Sequence, residues 1–170
     1  SQMAVFSKTS LQAGIITPKN PRTIFFNDAV AVAWPRGGFL EIASHDPRQG
    51  VVFYAVEQRE TARPQFIRPT ECLRCHYSYT TLYVPGLLRR SVVTETTGRI
   101  APQLGNYVVD DRTPFAERWG GWYVTGRSGS MAHLGNSVVA EGGDPSTAVA
   151  AAASTQASLT PLFDTSGYLT

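Results

Sequence analysis

The sequence predicts an α+β fold, a small and mainly antiparallel β-sheet with a few short helices. Short runs of β-branched and aromatic residues recur in the first third of the chain, and proline and glycine separate them. The helix signals are few and brief. The 170 residues, 42% of them hydrophobic, are enough for one domain with one core. We therefore expect a single domain over residues 1–170.

The composition excludes several classes of protein. With 16% charged residues and a large apolar fraction, the chain is neither a disordered tail nor a coiled coil nor a collagen-like fibre. The formal net charge of +2 is close to neutral, which argues against a nucleic-acid partner. No apolar run is long enough to span a bilayer, so we expect no membrane span in this chain.

The first half of the chain carries most of the strand signals. We expect residues 1–20 to form an extended arm and the next segment to form a hairpin sheet. The sequence Asp46-Pro47-Arg48-Gln49-Gly50 has the chemistry of a turn. The predicted strands are residues 22–26, 29–34, 39–43 and 51–56.

The second half alternates short elements with loops. Thr70 is a candidate N-cap for a helix over residues 70–77, and Thr113 followed by Pro114 begins another short helix signal. The remaining predictions are a hairpin with Gly98 in its turn, strands at 106–109 and 122–125, an alanine-rich stretch at 146–158 compatible with a short helix, and an extended tail over 159–170.

Both cysteines of the chain lie in Cys72-Leu73-Arg74-Cys75-His76, the attachment signature of c-type haem. Two thiols on one helical turn can each add to a haem vinyl group, and the adjacent histidine then reaches the iron. We predict one covalent haem c, with Cys72 and Cys75 as thioethers and His76 as the proximal iron ligand.

Bacteria attach such haem outside the cytoplasm. We therefore expect an extracytoplasmic protein, which is periplasmic, secreted or at the cell surface. The chain has no charged and apolar leader of its own, so we expect a signal peptide to be removed before Ser1.

Three other interpretations of the cysteines remain open at this point. They can form a redox disulfide of the thioredoxin kind. They can supply half of a zinc site, for which His45, His76, His133 and carboxylates are the available partners. They can also be two unrelated core thiols.

Several stretches resemble one family. Together with the motif, residues 25–28, 46–54, 113–126 (TPFAERWGGWYVTG) and 133–136 (HLGN) are similar to a family of bacterial secreted c-type cytochrome domains, most of which are uncharacterised. The similarity covers roughly residues 20–140 and the extreme C-terminus. It implies covalent haem at Cys72 and Cys75, His76 as ligand, and no assigned enzyme activity. Because members often continue into a helical segment, it also allows that this chain is truncated. A strand-rich half before the motif differs from the all-helical fold of small cytochromes c.

The favoured function is electron transfer by a low-spin haem to a redox partner protein or to a neighbouring copy of the chain. A place in a larger assembly is compatible with this role. The alternatives are a peroxidase-like enzyme with an open iron site, in which His133 and Arg127 would act, and a redox- or gas-sensing haem domain.

The sixth iron ligand is sought among four side chains. We predict His133 as the distal ligand, with Met131 as the next choice. Met3 is set aside because it lies in the expected arm, and His45 is expected at the entry to a turn.

The arginines that are candidates for binding the haem propionates are Arg89, Arg90, Arg112, Arg118 and Arg127.

Overall fold

Two antiparallel β-sheets and one short α-helix form the fold in the part of the chain that the structure describes. The computed structural model describes residues 1–126, 128–142, 144 and 159–168. It contains a six-stranded sheet and a two-stranded sheet, which confirms the predicted α+β class and excludes an all-helical fold. In the described ranges, no helix has the length and apolar character needed to cross a membrane.

The main sheet joins strands from both halves of the chain. Its strands are β1 (Gln2–Val5), β2 (Arg22–Phe26), β3 (Val30–Trp34), β4 (Leu40–Asp46), β5 (Gly50–Val56) and β8 (Trp122–Tyr123). They lie in the order β5-β4-β3-β2-β1-β8, and every neighbouring pair is antiparallel.

The four strands predicted within residues 22–56 are confirmed as a meander. Side chains close two of its turns: Asn27 Oδ1 accepts hydrogen bonds from the backbone of Ala29 and Val30, and Asp46 Oδ1 accepts from the two residues before Gly50. Gly50 itself has a φ of 78°, a conformation that favours glycine. Local turn chemistry therefore sets the register of these strands.

The N-terminal segment differs from the expected extended arm. Strand β1 lies between β2 and β8 and is paired on both sides. Val5 and Phe6 are 1% and 0% exposed, and Ile16 is also fully buried. The apolar patches of residues 1–20 are core, and the burial of these side chains holds the segment against the sheet.

The second sheet pairs β6 (Arg90–Val92) with β7 (Asn106–Val108) and packs near β8. The expected hairpin is confirmed: Thr94 pairs with Ile100, and Gly98 turns the chain with a φ of 82°.

The expected helix at 113–119 is only a 3-10 turn, Phe115–Glu117. It ends because the backbone becomes extended at Arg118, and the chain then turns left-handed at Trp119, where φ is 65°.

The C-terminal segment also differs from expectation where it is described. Residues 159–168 form turns, and Phe163 is buried in a stack on Tyr123. This segment covers part of one face of the main sheet. The alanine-rich stretch at 146–158 and residues 169–170 lie outside the described residues.

Candidate functional site

The motif lies on a segment that leaves the outer edge of β5 and returns to it. Ile67 and Ala55 exchange two backbone hydrogen bonds, and the Pro85 carbonyl accepts one from Val51 at 2.7 Å. Between these anchors, a 3-10 turn, Thr70–Cys72, leads directly into helix α1, Leu73–His76. The motif helix therefore lies beside the sheet, as predicted. Pro69 precedes the 3-10 turn, and the expected capping bond from Thr70 is not formed.

The imidazole of His76 is held from two sides. Its ring packs on that of Phe53 in β5, with 4.6 Å between the ring centroids. Its Nδ1 lies 2.8 Å from the carbonyl oxygen of Gly86. A carbonyl only accepts, so Nδ1 donates and carries the proton. Burial lowers the pKa of His76, which favours the neutral ring. The lone pair of the neutral ring is then on Nε2, the nitrogen that a metal would bind.

The second ring nitrogen of His76 is unengaged. No described residue forms a hydrogen bond with Nε2. Because the two nitrogens of the ring point in different directions, Nε2 points away from the Gly86 carbonyl. The charges of Arg22 in β2 and Glu41 in β4 act on this ring.

The two thiols differ in environment. Cys72 is half-buried and Cys75 is exposed, and both are free. Burial raises the pKa of the Cys72 thiol, and the nearby carboxylate of Glu41 raises it further. The cysteine of a redox disulfide motif has a lowered pKa, so this environment does not favour the thioredoxin-like alternative.

The two other interpretations of the cysteines, half of a zinc site and two unrelated core thiols, also find little support. In the part of the chain that the structure describes, no three His, Cys, Asp or Glu side chains are grouped to hold a metal ion. A zinc site around Cys72 and Cys75 therefore lacks its further ligands. The exposure of Cys75 is not that of a core thiol.

The motif packs on one face of the main sheet, which we call the motif face. This face consists of two rows of cross-strand partners that share one side of the sheet. One row is Met3, Ile24, Ala33, Glu41 and Ala55, and the other is Phe26, Ala31, Ala43 and Phe53.

Four of the nine residues of the motif face are alanine, and they occupy β3, β4 and β5. Phe26 at its margin is 36% exposed, so the face is only partly covered. The second row has two neighbouring alanines, Ala31 and Ala43, between Phe26 and Phe53. A flat apolar group could lie there beside His76.

A charged cluster lies on the motif face itself, around Glu41 in β4. Glu41 accepts hydrogen bonds from Arg22 Nη1 at 2.9 Å and from Ser10 Oγ at 2.6 Å. Arg22 Nε is buried and has no hydrogen-bond partner. A buried donor without a partner is costly, and a carboxylate is its best complement. Arg22 thus keeps one donor available at the border of the face.

His133, the predicted distal ligand, lies at the other edge of the sheet from His76. Its neighbour Leu134 bonds to Arg118, and Asn136 bonds to Trp122 of β8, whereas the motif is anchored on β5. His133 is 2% exposed, and its Nδ1 accepts a hydrogen bond from the backbone of Gly135 at 3.0 Å.

The tautomer of His133 follows from that bond. Because Nδ1 accepts, the proton of the neutral ring lies on Nε2, which is buried and has no hydrogen-bond partner. The ring instead packs edge-on against Phe115 and Trp119. The structure thus gives His133 a packing role in the loop. Met131 is 53% exposed, in the loop that follows β8.

The arginines nominated for propionates are engaged in local contacts. Arg112 pairs with Asp110, Arg118 bonds to the backbone of Asp111 and Thr113, Arg90 bonds to Asn106, and Arg89 lies 3.9 Å from Asp111. Arg127 lies outside the described residues.

The sequence analysis missed Arg22 and the alanines of the motif face. The alternation of residues 29–33, in which alanine takes every second position, was the available signal for a face of small side chains.

The sequence matches no protein-family model, and comparison with curated proteins and with solved structures gave no significant match. The similarity of its motifs to secreted c-type cytochrome domains therefore stays an expectation.

Proposed function

We propose that this protein is a monohaem c-type cytochrome that transfers electrons outside the cytoplasm. One observation carries the proposal: Nε2 of His76 forms no hydrogen bond with a described residue, while the Gly86 carbonyl holds the Nδ1 proton of a ring that packs on Phe53. A histidine whose other nitrogen is bonded to a carbonyl has the orientation and tautomer of a metal ligand. Cys72 and Cys75 lie on the same helical turn, where thiols would attach a haem.

The motif face supports the proposal by its shape and chemistry. Its alanines leave room for a flat macrocycle, which Phe26 and Phe53 would flank. The unpartnered Nε of Arg22 would bind a propionate carboxylate. A bound haem supplies a one-electron Fe(III)/Fe(II) couple. The chain supplies the covalent attachment, the axial nitrogen and the apolar bed.

The surroundings of the motif favour a carrier over an enzyme. Cys75 is exposed, so the haem edge attached there would be accessible to a redox partner or to a second copy. The side chains near it are apolar and exposed as well, among them Tyr77, Tyr79 and Leu82 at 48%, 74% and 84%. His133, required by the peroxidase-like alternative, is buried in its own loop.

The test is the mass and spectrum of protein exported by a bacterial host with haem-attachment machinery. We expect the intact mass to exceed that of the polypeptide by one haem. The reduced spectrum should be low-spin and should not respond at once to carbon monoxide. Cys72→Ala and Cys75→Ala should each leave at most one thioether and lower the yield of haem protein, whereas Arg74→Ala between them should not.

Three results would overturn the proposal in whole or in part. A bare polypeptide mass would exclude covalent haem, and a mass lower by two hydrogen atoms would assign Cys72 and Cys75 to a disulfide. If the spectrum changes at once with carbon monoxide, the protein does carry haem, but its iron site is open. That result would favour the open-site enzyme or the gas sensor over electron transfer.

A further inference from the structure

A closed loop follows the motif helix and presents apolar side chains to solvent. Its two ends meet twice: the backbone N–H of Gly86 donates to the His76 carbonyl at 3.0 Å, and Nδ1 of His76 donates to the Gly86 carbonyl at 2.8 Å. We call residues 76–86 the apolar loop. Its exposed large side chains are Tyr77, Tyr79, Leu82, Tyr83 and Val84, and Leu82 is the most exposed of them at 84%.

The backbone of the apolar loop is bonded within the loop itself. Every N–H from Thr81 to Gly86 donates to an acceptor inside the loop, and Pro85 has no N–H to donate. Leu82 and Tyr83 have φ values of 53° and 55°, which are unfavourable for residues with a side chain. The loop therefore holds exposed apolar side chains at a conformational cost, while its backbone donors need no partner from water.

Positive charge lies on both sides of the apolar loop, which itself contains no Asp, Glu, Lys or Arg. Arg74 lies two residues before the loop and Arg89 three residues after it, and both are exposed. In the described part of the chain Arg74 forms no ion pair, and Arg89 has only Asp111, at 3.9 Å. Residues 59–90 as a whole contain six arginines and two glutamates. The base of the loop thus complements an anionic surface.

The size and bonding of the apolar loop favour a lipid surface over a protein partner. The loop has eleven residues, whereas a stable protein interface takes about 20–30 residues from each side. The hydrocarbon of a bilayer offers no hydrogen-bond partners, so a segment that enters it must bond its own backbone donors, as this loop does. A second copy that docked through the same loop would bring the arginines of both copies together, which is unfavourable.

We propose that the apolar loop inserts into the surface of an anionic membrane, with Leu82, Tyr83 and Val84 at the edge of the acyl chains and Arg74 and Arg89 at the lipid phosphates. Tyrosine is enriched at membrane–water interfaces, and arginine close to anionic headgroups strengthens binding. Insertion extends the proposed function, because it would hold the haem-attachment residues beside the membrane surface and its redox proteins. It does not require the haem.

The test is co-sedimentation of the exported protein with vesicles of equal parts phosphatidylglycerol and phosphatidylcholine. We expect binding to these vesicles and much weaker binding to pure phosphatidylcholine. Leu82→Ser should lower the partition coefficient about tenfold, because one leucine side chain no longer enters the apolar phase. Arg74→Gln should lower it about fivefold, because one cation is lost near the headgroups.

Two matched controls lie away from the apolar loop. Leu11 is also exposed, but it lines a cleft with Gly38 and Glu57 at the other end of β5. Arg99 is exposed in the hairpin that turns at Gly98. Leu11→Ser and Arg99→Gln should therefore keep the wild-type partition coefficient.

A further variant, Leu82→Trp, reports insertion directly. Relative to the wild type, its additional emission should shift to shorter wavelength with the anionic vesicles and be quenched by lipids brominated in their acyl chains. An absence of quenching, an absence of binding to the anionic vesicles, or equal losses in Leu82→Ser and Leu11→Ser would overturn the inference. Self-association that Leu82→Ser abolishes, in place of vesicle binding, would also overturn it and assign the loop to a second copy. A bare polypeptide mass would refute only the proposed function, since the vesicle measurements do not depend on haem.

Discussion

Gly121 is a residue at which the fold tolerates no side chain. Its φ is 79°, and a Cβ there would lie 2.5 Å from Cβ of Ser7. We expect Gly121→Ala to lower the free energy of unfolding by about 1–3 kcal/mol, because it adds both backbone strain and a clash. Chemical denaturation monitored by circular dichroism measures the loss.

Gly14 provides the matched control for that substitution. It has open space around its Cα and no positive φ. Gly14→Ala should change the free energy of unfolding by no more than about 0.5–1 kcal/mol, with stabilisation the expected sign. Equal losses in the two variants would refute the role given to the contact between Gly121 and Ser7.

At the residue scale, the local arrangement of the motif was predictable and its tertiary contacts were not. The spacing of Cys72, Cys75 and His76 was enough to predict their grouping on one helical turn. The bond of His76 to Gly86 was not predictable, because it depends on where the loop returns to β5. His133 was nominated because it can bind iron and lies in a stretch that the family resemblance includes, but its burial between aromatic rings depends on tertiary packing.

Strand β1 contributes more to the sheet than its four residues suggest. Val5 is 1% exposed, whereas Val108 in β7 is 44% exposed. We expect Val5→Ala to lower the free energy of unfolding by about 1.5–3 kcal/mol, because two buried methyl groups are removed. The same change at Val108 should cost less than about 0.5 kcal/mol. Thermal and urea denaturation of the two variants would compare them, and similar losses would contradict the placement of β1 in the core.

At the element scale, the predictable elements are those formed by interactions between residues close together in sequence. The strands between residues 22 and 56 were predictable because each turn is closed by residues within it, as Asn27 and Asp46 do. β1 escaped prediction because both of its partners are distant in sequence, at Arg22–Phe26 and Trp122–Tyr123. The 3-10 turn at Phe115–Glu117 follows genuine helix-start residues, but the extended backbone of Arg118 ends it after three residues.

The whole molecule should lose stability in alkali through Tyr123. Burial raises its pKa to about 12, and its hydroxyl donates to the Pro18 carbonyl at 2.7 Å. The unfolded chain releases this proton near pH 10, so the contribution of Tyr123 is complete below that pH and is lost between about 10 and 12. Urea denaturation across that range measures it.

The variant Tyr123→Phe should have a flatter alkaline stability profile than the wild type, because it has no hydroxyl to ionise. Tyr79→Phe is the control, since that side chain is 74% exposed, and it should follow the wild-type profile. A Tyr123→Phe profile as steep as the wild type would show that other groups cause the loss.

At the scale of the molecule, the fold class was predictable and the candidate site was only partly so. Composition and strand-like runs were sufficient for an antiparallel sheet. The motif face required the register of five strands, which brings Met3 and Ala55 into one row although more than fifty residues separate them in sequence. No pattern within a short stretch of the sequence specifies the register of all five strands.

The pairing of β1 with β8 has a consequence for the order in which the sheet assembles. β1 gains its partner β8 only when Tyr123 is brought back to Ala4. Closing so long a loop makes this pairing slow relative to the local hairpins. Residues 72–76 lie inside that loop, so both thiols remain on an incompletely closed chain until then.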